Sequence, residues 1–215
     1  MKVVIERSEP IECALERLYN SVLLNTGEEK IYYFRTSTMR LADFRPQEIN
    51  PTSLYVLRDH LEFQRELHSE LLAFGIDTFR MDEVIHYRVD GGELWGMAPP
   101  VVEIHEEFIS ITSRRQKDVS ELRVRVALLE DGEHRAWCAM KLHTTLRCIL
   151  ISDTDSAKYP FVAYPVSWAD VKVCDAVPSR KRYYRNSQNQ YVFARPLHIL
   201  RQVGDIPPPP EIGRK

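Results

Sequence analysis

Apolar residues recur at helical spacing in two segments of the chain. The first segment places them three or four positions apart: Ile11, Leu15, Leu18 and Val22. The second segment repeats this spacing: Phe63, Leu67, Leu71 and Phe74. Pro10 suits the first turn of the first helix and Asn25-Thr26-Gly27 its end, and Gly75 follows the second helix, where a left-handed residue is common. The pattern therefore predicts two amphipathic surface helices, each with one face against a core.

Short runs rich in β-branched and aromatic residues predict strands around these helices. Residues 31–34 and 39–44 predict two strands that precede a turn at Asn50-Pro51-Thr52. Between residues 76 and 97 we expect further short strands. They are joined by a turn at Asp90-Gly91-Gly92, because glycine tolerates positive φ.

The middle of the chain predicts two paired strands. Pro99 and Pro100 introduce the predicted strand 101–104, since proline fixes φ and donates no hydrogen bond to a sheet. Residues 123–129 alternate charged and apolar side chains, as a half-buried strand does. We expect the two strands to pair across a long, charged connection.

A tight unit of strand, turn, helix and strand follows. Asp131-Gly132 interrupts the second of the paired strands, residues 136–142 predict a compact helix, and residues 147–151 return to strand composition. Together with the earlier elements, this unit predicts an α/β (α+β) fold with a mixed sheet and packed helices.

The composition is that of a globular protein. The 215 residues include 29 Lys and Arg against 31 Asp and Glu, and 44% are hydrophobic, which excludes a disordered, collagen-like or coiled-coil chain. A formal net charge of −2 argues against binding nucleic acid or anionic membrane with the whole surface. The four cysteines are scattered, and neither a secretory signal nor a membrane span is visible. We therefore expect a cytoplasmic protein with reduced thiols and no membrane partner.

The C-terminal tail departs from this charge balance. Residues 176–204 contain no acid and six basic residues: Arg180, Lys181, Arg182, Arg185, Arg195 and Arg201. Aromatic residues are interleaved with these cations, which suits phosphate clamping with base stacking, or contact with a nucleic-acid backbone. A solvated face with a final strand at 191–193 explains the pattern equally well. Residues 207–210 are prolines and are typical of a polyproline end.

The turn at residues 132–135 has the residue types that bind anions. A glycine lets the backbone approach a phosphate closely, and the amides and dipole of a helix start favour negative charge. Arg135 adds a planar guanidinium, and His134 can donate to phosphate or carry a proton near neutral pH. A surface turn with a charged helix start is the alternative interpretation.

Residues 128–142, Leu-Leu-Glu-Asp-Gly-Glu-His-Arg-Ala-Trp-Cys-Ala-Met-Lys-Leu, and the strand after them resemble the signature of the ParB/sulfiredoxin superfamily. Its members carry a strand, a Gly-x-His-Arg or Gly-Glu-Arg-Arg turn, an Ala-rich helix and a further strand. The helix that ends at Phe74-Gly75 and the strand that follows Pro100 resemble the family's upstream elements. The resemblance spans residues 39–151.

The resemblance implies a division of the chain into three parts. Residues 1–38 form an N-terminal helix and lead-in strand. Residues 39–175 form the ParB/sulfiredoxin-like core, with insertions at 77–97 and 105–122. Residues 176–215 form a basic, proline-ended extension.

The resemblance also implies a nucleotide site, because members of this superfamily bind nucleotide phosphates at the glycine turn. Gly132, His134 and Arg135 match phosphate-binding positions, and Asp131 matches the acid that precedes the glycine in kinase-like members. Glu133 departs from the sulfiredoxin pattern, which needs a catalytic Cys there. Partition proteins have Arg in place of His134 and continue into a helix-turn-helix domain, for which no pattern is visible after the core. Peroxiredoxin repair and plasmid segregation are therefore disfavoured.

The remaining implication is phosphoryl transfer from ATP or ADP, with Mg²⁺, to a small hydroxyl-bearing metabolite. This chemistry needs cations around the phosphoryl oxygens and a carboxylate near the accepting hydroxyl. We expect Asp131, with Glu48 or Glu103, to supply the carboxylates. The expected nucleotide-binding residues are those of the turn and of the basic segment: Gly132, Glu133, His134, Arg135, Lys181, Arg182 and Arg185.

Two other functions stay open from the sequence. One is a nucleotide-responsive, DNA-associated regulator that uses the basic tail, and the other is a non-catalytic binding scaffold in which Glu133 repels phosphate. No metal site is assigned, because His60 and His68 are eight positions apart and His105-Glu106-Glu107 lacks a second cluster of ligands. The oligomeric state is left open.

Overall fold

The computed structural model describes residues 1–21, 23–24, 32, 34–112, 119–154, 163–185 and 193–194. These residues contain three α-helices: α1 (Ile11–Tyr19), α2 (Arg58–Leu72) and α3 (Glu133–Lys141). They also contain twelve strands: β1 (Val3–Pro10), β2 (Leu23–Leu24), β3 (Thr38–Phe44), β4 (Asn50–Pro51), β5 (Tyr55–Leu57), β6 (Glu83–Val89), β7 (Leu94–Met97), β8 (Val101–Thr112), β9 (Val119–Asp131), β10 (Leu146–Ser152), β11 (Lys172–Cys174) and β12 (Phe193–Ala194). The predicted α+β fold class is confirmed.

A five-stranded mixed sheet, in the order β3-β10-β8-β9-β4, forms the centre of the fold. β8 and β9 pair, as expected of the two predicted strands, and they run antiparallel. The predicted long connection between them is wrong for the most part, because the pairing continues to Thr112 and Val119. β10 runs parallel to β8. Successive residues of β10 point to opposite faces, since Leu146, Cys148 and Leu150 lie in one core cluster and Ile149 and Ile151 in another. A strand buried on both faces is a continuous apolar run, which is why the sequence predicted it.

Two helices cover one face of this sheet and the third covers the other. Ala136 and Ala139 of α3 and Leu61 of α2 pack in the first cluster with Val102 and Leu129 of the sheet. The opposite face packs against α1, whose buried residues in the second cluster are Ala14 and Leu18.

A smaller antiparallel sheet, in the order β1-β6-β7, lies against the other half of α2. Leu67 and Leu71 of α2 pack on Ile85 in a third core cluster. The predicted turn at Asp90-Gly91 joins β6 to β7, with φ of 51° at Asp90 and 72° at Gly91. The hairpin is therefore confirmed, whereas β1 was not predicted.

Several local predictions differ from the structure. α1 ends at Tyr19, so it is shorter than predicted, and Val22 and residues 25–27 lie outside the described residues. Phe34 lies in a turn, while Ile31 and Tyr33 are outside the described residues. The predicted turn at residues 50–52 is wrong: Asn50 and Pro51 form β4, parallel to β9, because Pro51 sits on the outermost strand, where its missing N–H costs no ladder hydrogen bond. No helix in the described part of the chain is long and apolar enough to cross a membrane.

The buried contact between β1 and β6 predicts a pH dependence of stability. Burial lowers the pKa of His86, against the opposing effect of Glu9, whose Oε1 lies 2.9 Å from Nε2 of His86. The folded protein therefore takes up this proton less readily than the unfolded chain, so stability falls as the pH drops below about 6.5. We expect His86→Gln to reduce the fall in melting temperature between pH 7.5 and 5.5.

Thermal unfolding at several pH values measures this effect. His143→Gln is the control, because it removes an exposed imidazole and leaves the contact between His86 and Glu9 intact. Equal pH profiles for the wild type and His86→Gln would contradict the assignment.

Candidate functional site

The predicted glycine turn joins β9 to α3. Gly132 has a φ of 97°, in the left-handed region, and its carbonyl accepts the N–H of Ala136 at 2.8 Å, so the helix begins at Glu133, before the predicted start at Ala136. A Cβ built on Gly132 would lie 2.7 Å from Cβ of Pro100. The glycine is therefore required by its own backbone conformation and by the close approach of Pro100.

A cleft of about 530 Å³ opens beside this turn. Its walls come from the N-terminal half of α2, from the β6–β7 hairpin and from the turn itself. The residues that characterise these walls are Asp59, His60, Phe63, Tyr87, Trp95 and residues 131–135. The cleft thus joins elements that are far apart in the sequence.

Two aromatic rings of the cleft are accessible to solvent. Trp95 of β7 is 52% exposed and Phe63 of α2 is 38% exposed, whereas Tyr87 is buried beside them. Large exposed aromatic side chains on a concave surface offer flat platforms on which a planar ring can stack. Neither ring was predicted from the sequence to contact a ligand.

The charged residues of the cleft are mostly acidic. Asp59, Asp131 and Glu133 line it, against the guanidinium of Arg135. Outside the lining, Nη2 of Arg182 lies 3.7 Å from Oε1 of Glu133. A bare phosphate would therefore meet an excess of negative charge, which a bound cation would have to offset.

His134 is held by the protein backbone. Its Nε2 accepts a hydrogen bond from the N–H of Leu57 at 3.0 Å, and its ring centroid lies 5.0 Å from that of His60. The imidazole therefore connects the turn to the end of β5. Because Nε2 is an acceptor here, a neutral His134 carries its proton on Nδ1.

Arg135 points into the protein. It is 7% exposed, and its Nη1 lies 3.8 Å from Sδ of Met81. Its positive charge also affects the pKa of the Cys148 thiol. Burial raises the pKa of that thiol to about 12, and the charge of Arg135 partly opposes the increase. Arg135 therefore lines the cleft as a buried side chain, on the side of the protein interior.

Two predicted carboxylates lie outside the cleft lining. Glu48 ends the short 3-10 turn Pro46–Glu48, and Arg45 beside it holds the pKa of this carboxyl below its usual value. Oε1 of Glu48 accepts from Nη2 of Arg45 at 2.6 Å. Glu103 is buried in the central sheet. Asp131 alone of the three predicted carboxylates lines the cleft.

Glu103 belongs to a second group of titratable residues. Its ligand atoms, with those of His105 and Glu130, lie within 4.8 Å of one another. Burial, followed by the charge of Glu103, raises the pKa of Glu130 to about 8. The sequence held a signal for this group, because residues two apart on a strand share a face.

The predicted basic residues take three different positions. Arg182 reaches Glu133 at the turn. The carbonyl of Lys181 accepts the N–H of Leu54 at 2.9 Å, and the guanidinium of Arg185 lies 4.4 Å from the ring centroid of Tyr164. The structure therefore brings Arg182 to the turn. Lys181 and Arg185 have contacts with Leu54 and Tyr164, away from the turn.

The fold and the site define an α+β protein with a mixed central sheet, in which a glycine turn starts a helix at the edge of an aromatic cleft. The model of the ParB CE domain family matches residues 14–173. This match covers well over half of the chain, so the chain belongs to the ParB CE domain family. A search of curated proteins and a search of solved structures found no match.

The family match confirms the ParB part of the predicted resemblance. Residues 39–151, on which that resemblance depended, lie within the matched range. The likeness to kinase-like members and to sulfiredoxins stays a prediction.

Proposed function

We propose that this protein is a ParB-like binding scaffold whose cleft holds a nucleotide together with a divalent cation. The proposal depends on one observation: exposed aromatic rings and the glycine turn of α3 line the same cleft. The predicted superfamily resemblance assigns nucleotide phosphates to this turn. The resemblance did not include a contact for the base. Trp95 and Phe63 supply a surface on which the base can stack.

The size and shape of the cleft suit a nucleoside. Ligand pockets commonly have volumes of about 300–1,000 Å³, and 530 Å³ falls within this range. Trp95 and Phe63 present rings from different elements, so a base that stacks on them would contact the hairpin and α2. Its ribose and phosphates would then extend toward Gly132.

The acidic lining makes the cation part of the proposal. Asp59, Asp131 and Glu133 would repel a free triphosphate. Mg²⁺ takes oxygen ligands and is commonly held between one or two carboxylates and substrate phosphates. Asp59 and Asp131 are the residues we assign to it, because both line the cleft together with the glycine turn. Nucleotide binding is therefore expected to weaken when Mg²⁺ is removed.

The geometry favours binding over catalysis. Phosphoryl transfer needs a carboxylate beside the accepting hydroxyl, and Asp131 lines the cleft while Glu48 and Glu103 do not. His134, the other predicted proton carrier, accepts a backbone hydrogen bond at Nε2. ADP formation that depends on an added hydroxyl compound and disappears in Asp131→Asn would replace this scaffold proposal with a phosphotransferase.

The structure gives less support to DNA contact through the basic segment. Arg182 pairs with Glu133 and Arg185 stacks on Tyr164, so two of its predicted phosphate contacts are engaged by protein groups. Affinity for DNA that falls steeply with salt and weakens in Arg182→Ala would favour this alternative.

Trp95→Ala is expected to weaken nucleotide binding by about 5- to 150-fold, because stacking of a base on an aromatic ring contributes about 1–3 kcal/mol. The side chain is half exposed, so its removal should leave the fold intact. Calorimetric titration of the full chain with ATP, ADP and CTP, each with and without Mg²⁺, measures the affinities.

Phe74→Ala is the matched control, since Phe74 is an exposed aromatic just beyond α2 that does not line the cleft. It should bind nucleotide as the wild type does. The proposal fails if no nucleotide binds in the presence of Mg²⁺, or if the two variants bind alike.

A further inference from the structure

A mixed group of metal-ligand side chains lies in the central sheet, outside the cleft. It consists of Glu103 and His105 of β8 and Glu130 of β9, and none of the three lines the cleft. Glu103 and His105 are both buried, and Nε2 of His105 lies 3.1 Å from Oε1 of Glu103. Two carboxyl groups and one imidazole thus share a small volume, in which Glu130 is only partly buried.

The backbone brings these side chains together. Glu103 and His105 are two positions apart on β8, so they project from the same face. The register between β8 and β9 shifts where Val101 pairs with Asp131 and Val102 with Leu129, which leaves Glu130 as the extra residue of a β-bulge. Bulges redirect a side chain and are frequent beside functional sites.

The carboxylate of Glu103 lacks well-formed hydrogen bonds in the part of the chain that the structure describes. Both of its oxygens are buried, and neither takes part in a hydrogen bond with acceptable geometry among the described residues. Leaving a buried carboxylate without such bonds is costly, and coordination to a metal ion is one of the arrangements that offset the cost. The charge of Arg182 acts on Glu130, but Arg182 also pairs with Glu133.

We propose that Glu103, His105 and Glu130 bind a divalent transition-metal ion, Zn²⁺ or Mn²⁺. An imidazole nitrogen with two carboxylate oxygens is a donor set for such ions, whereas Mg²⁺ and Ca²⁺ prefer oxygen ligands alone. Metal–ligand bonds of about 2.0–2.2 Å place ligand atoms about 3–4 Å apart. Since the three ligand atoms already lie within 4.8 Å of one another, small side-chain rotations suffice.

This metal site is independent of the proposed nucleotide site. It needs no nucleotide, and it uses none of the residues assigned to nucleotide or Mg²⁺ in the cleft. Three protein ligands also leave coordination positions for water or a further ligand, as in catalytic rather than structural metal sites.

The test is metal binding by the full chain, stripped with a chelator and free of nucleotide. Titration with Zn²⁺ or Mn²⁺ should show one ion per chain, and the melting temperature should rise by about 5–10 °C at 100 times the dissociation constant. Glu103→Gln should abolish both effects. Its metal-free melting temperature should equal or exceed that of the wild type, because the charge of a fully buried side chain is removed.

Glu106→Gln is the matched control. Glu106 lies on the same strand but is exposed and pairs with Arg123 and Arg125, so this variant should bind metal as the wild type does. If Glu103→Gln does not fold, His105→Gln and Co²⁺ absorption provide the second measurement. The wild type should give visible ligand-field bands that His105→Gln changes or loses.

Three results would overturn the proposal. No stabilisation by Zn²⁺ or Mn²⁺ would show that the three side chains pack together without binding a metal ion. Equal binding of Mg²⁺ would exclude a role for the imidazole. Binding that survives in both Glu103→Gln and His105→Gln would place the ion on other residues.

Discussion

Replacing Gly132 with alanine is expected to lower the melting temperature by about 6–12 °C. A non-glycine residue at a φ of 97° is strained, and the new Cβ would lie 2.7 Å from Cβ of Pro100. Backbone strain and overpacking each cost about 1–3 kcal/mol, so a loss of about 3 kcal/mol is expected. Calorimetry or circular dichroism measures the change.

Gly75→Ala separates the two causes. Gly75 also has a positive φ, of 81°, but a Cβ there would meet nothing within 4 Å. This variant should lose about 1 kcal/mol, from the backbone alone. Equal losses in the two variants would show that contact with Pro100 contributes nothing. A normal melting temperature for Gly132→Ala would contradict the geometry of the turn.

Leu71→Ala is expected to destabilise the protein by about 2–5 kcal/mol, through lost burial and the cavity that remains. Leu71 is fully buried between α2 and the smaller sheet, in the cluster that contains Leu67 and Ile85. Chemical denaturation measures the change in the free energy of unfolding.

Leu72→Ala provides a control of the same chemistry at the next position. Leu72 is 48% exposed at the end of α2, so its truncation should cost no more than about 0.5 kcal/mol. Similar losses for Leu71→Ala and Leu72→Ala would mean that the helix faces the sheet differently.

Local patterns predicted the elements that dominate the fold. The apolar run of β10, the alternation in β9 and the prolines before β8 all identify strands that the structure contains. The spacing in α2 also predicted a helix, but the set of residues predicted to face the core was only partly right. Leu67 and Leu71 are buried, whereas Phe63 and Phe74 are exposed. Spacing determines which residues share a face, but the neighbouring elements determine how far burial extends.

The missed strands have a common cause. β1 is largely exposed and includes Glu6, Arg7 and Glu9, so no apolar pattern marks it, and its pairing with β6 defines it. β4 and β5 are so short that they depend on β9 and β11 for their hydrogen bonds. Such elements arise from tertiary pairing, which a local sequence pattern does not encode.

The candidate site was likewise predicted only in part, from the residues that are neighbours in the sequence. The glycine turn was predicted because its residue types lie together in the sequence. Trp95 and Phe63 were not assigned to it, because only the packing of α2 and the β6–β7 hairpin brings them to the turn. The inward direction of Arg135 and the bulge at Glu130 likewise depend on tertiary contacts.

The strand order of the central sheet has a consequence for synthesis of the protein. β3 pairs with β10, and the bonded side chains of Asp43 and Arg147 are 104 positions apart in the chain. Closing so long a loop costs entropy before the contacts compensate for it. During synthesis, β3 therefore leaves the ribosome before β10 and stays unpaired with it until the segment that contains β10 has also emerged. The nascent chain exposes its sheet-forming residues throughout that interval, and the sheet can close only after β10 has joined it.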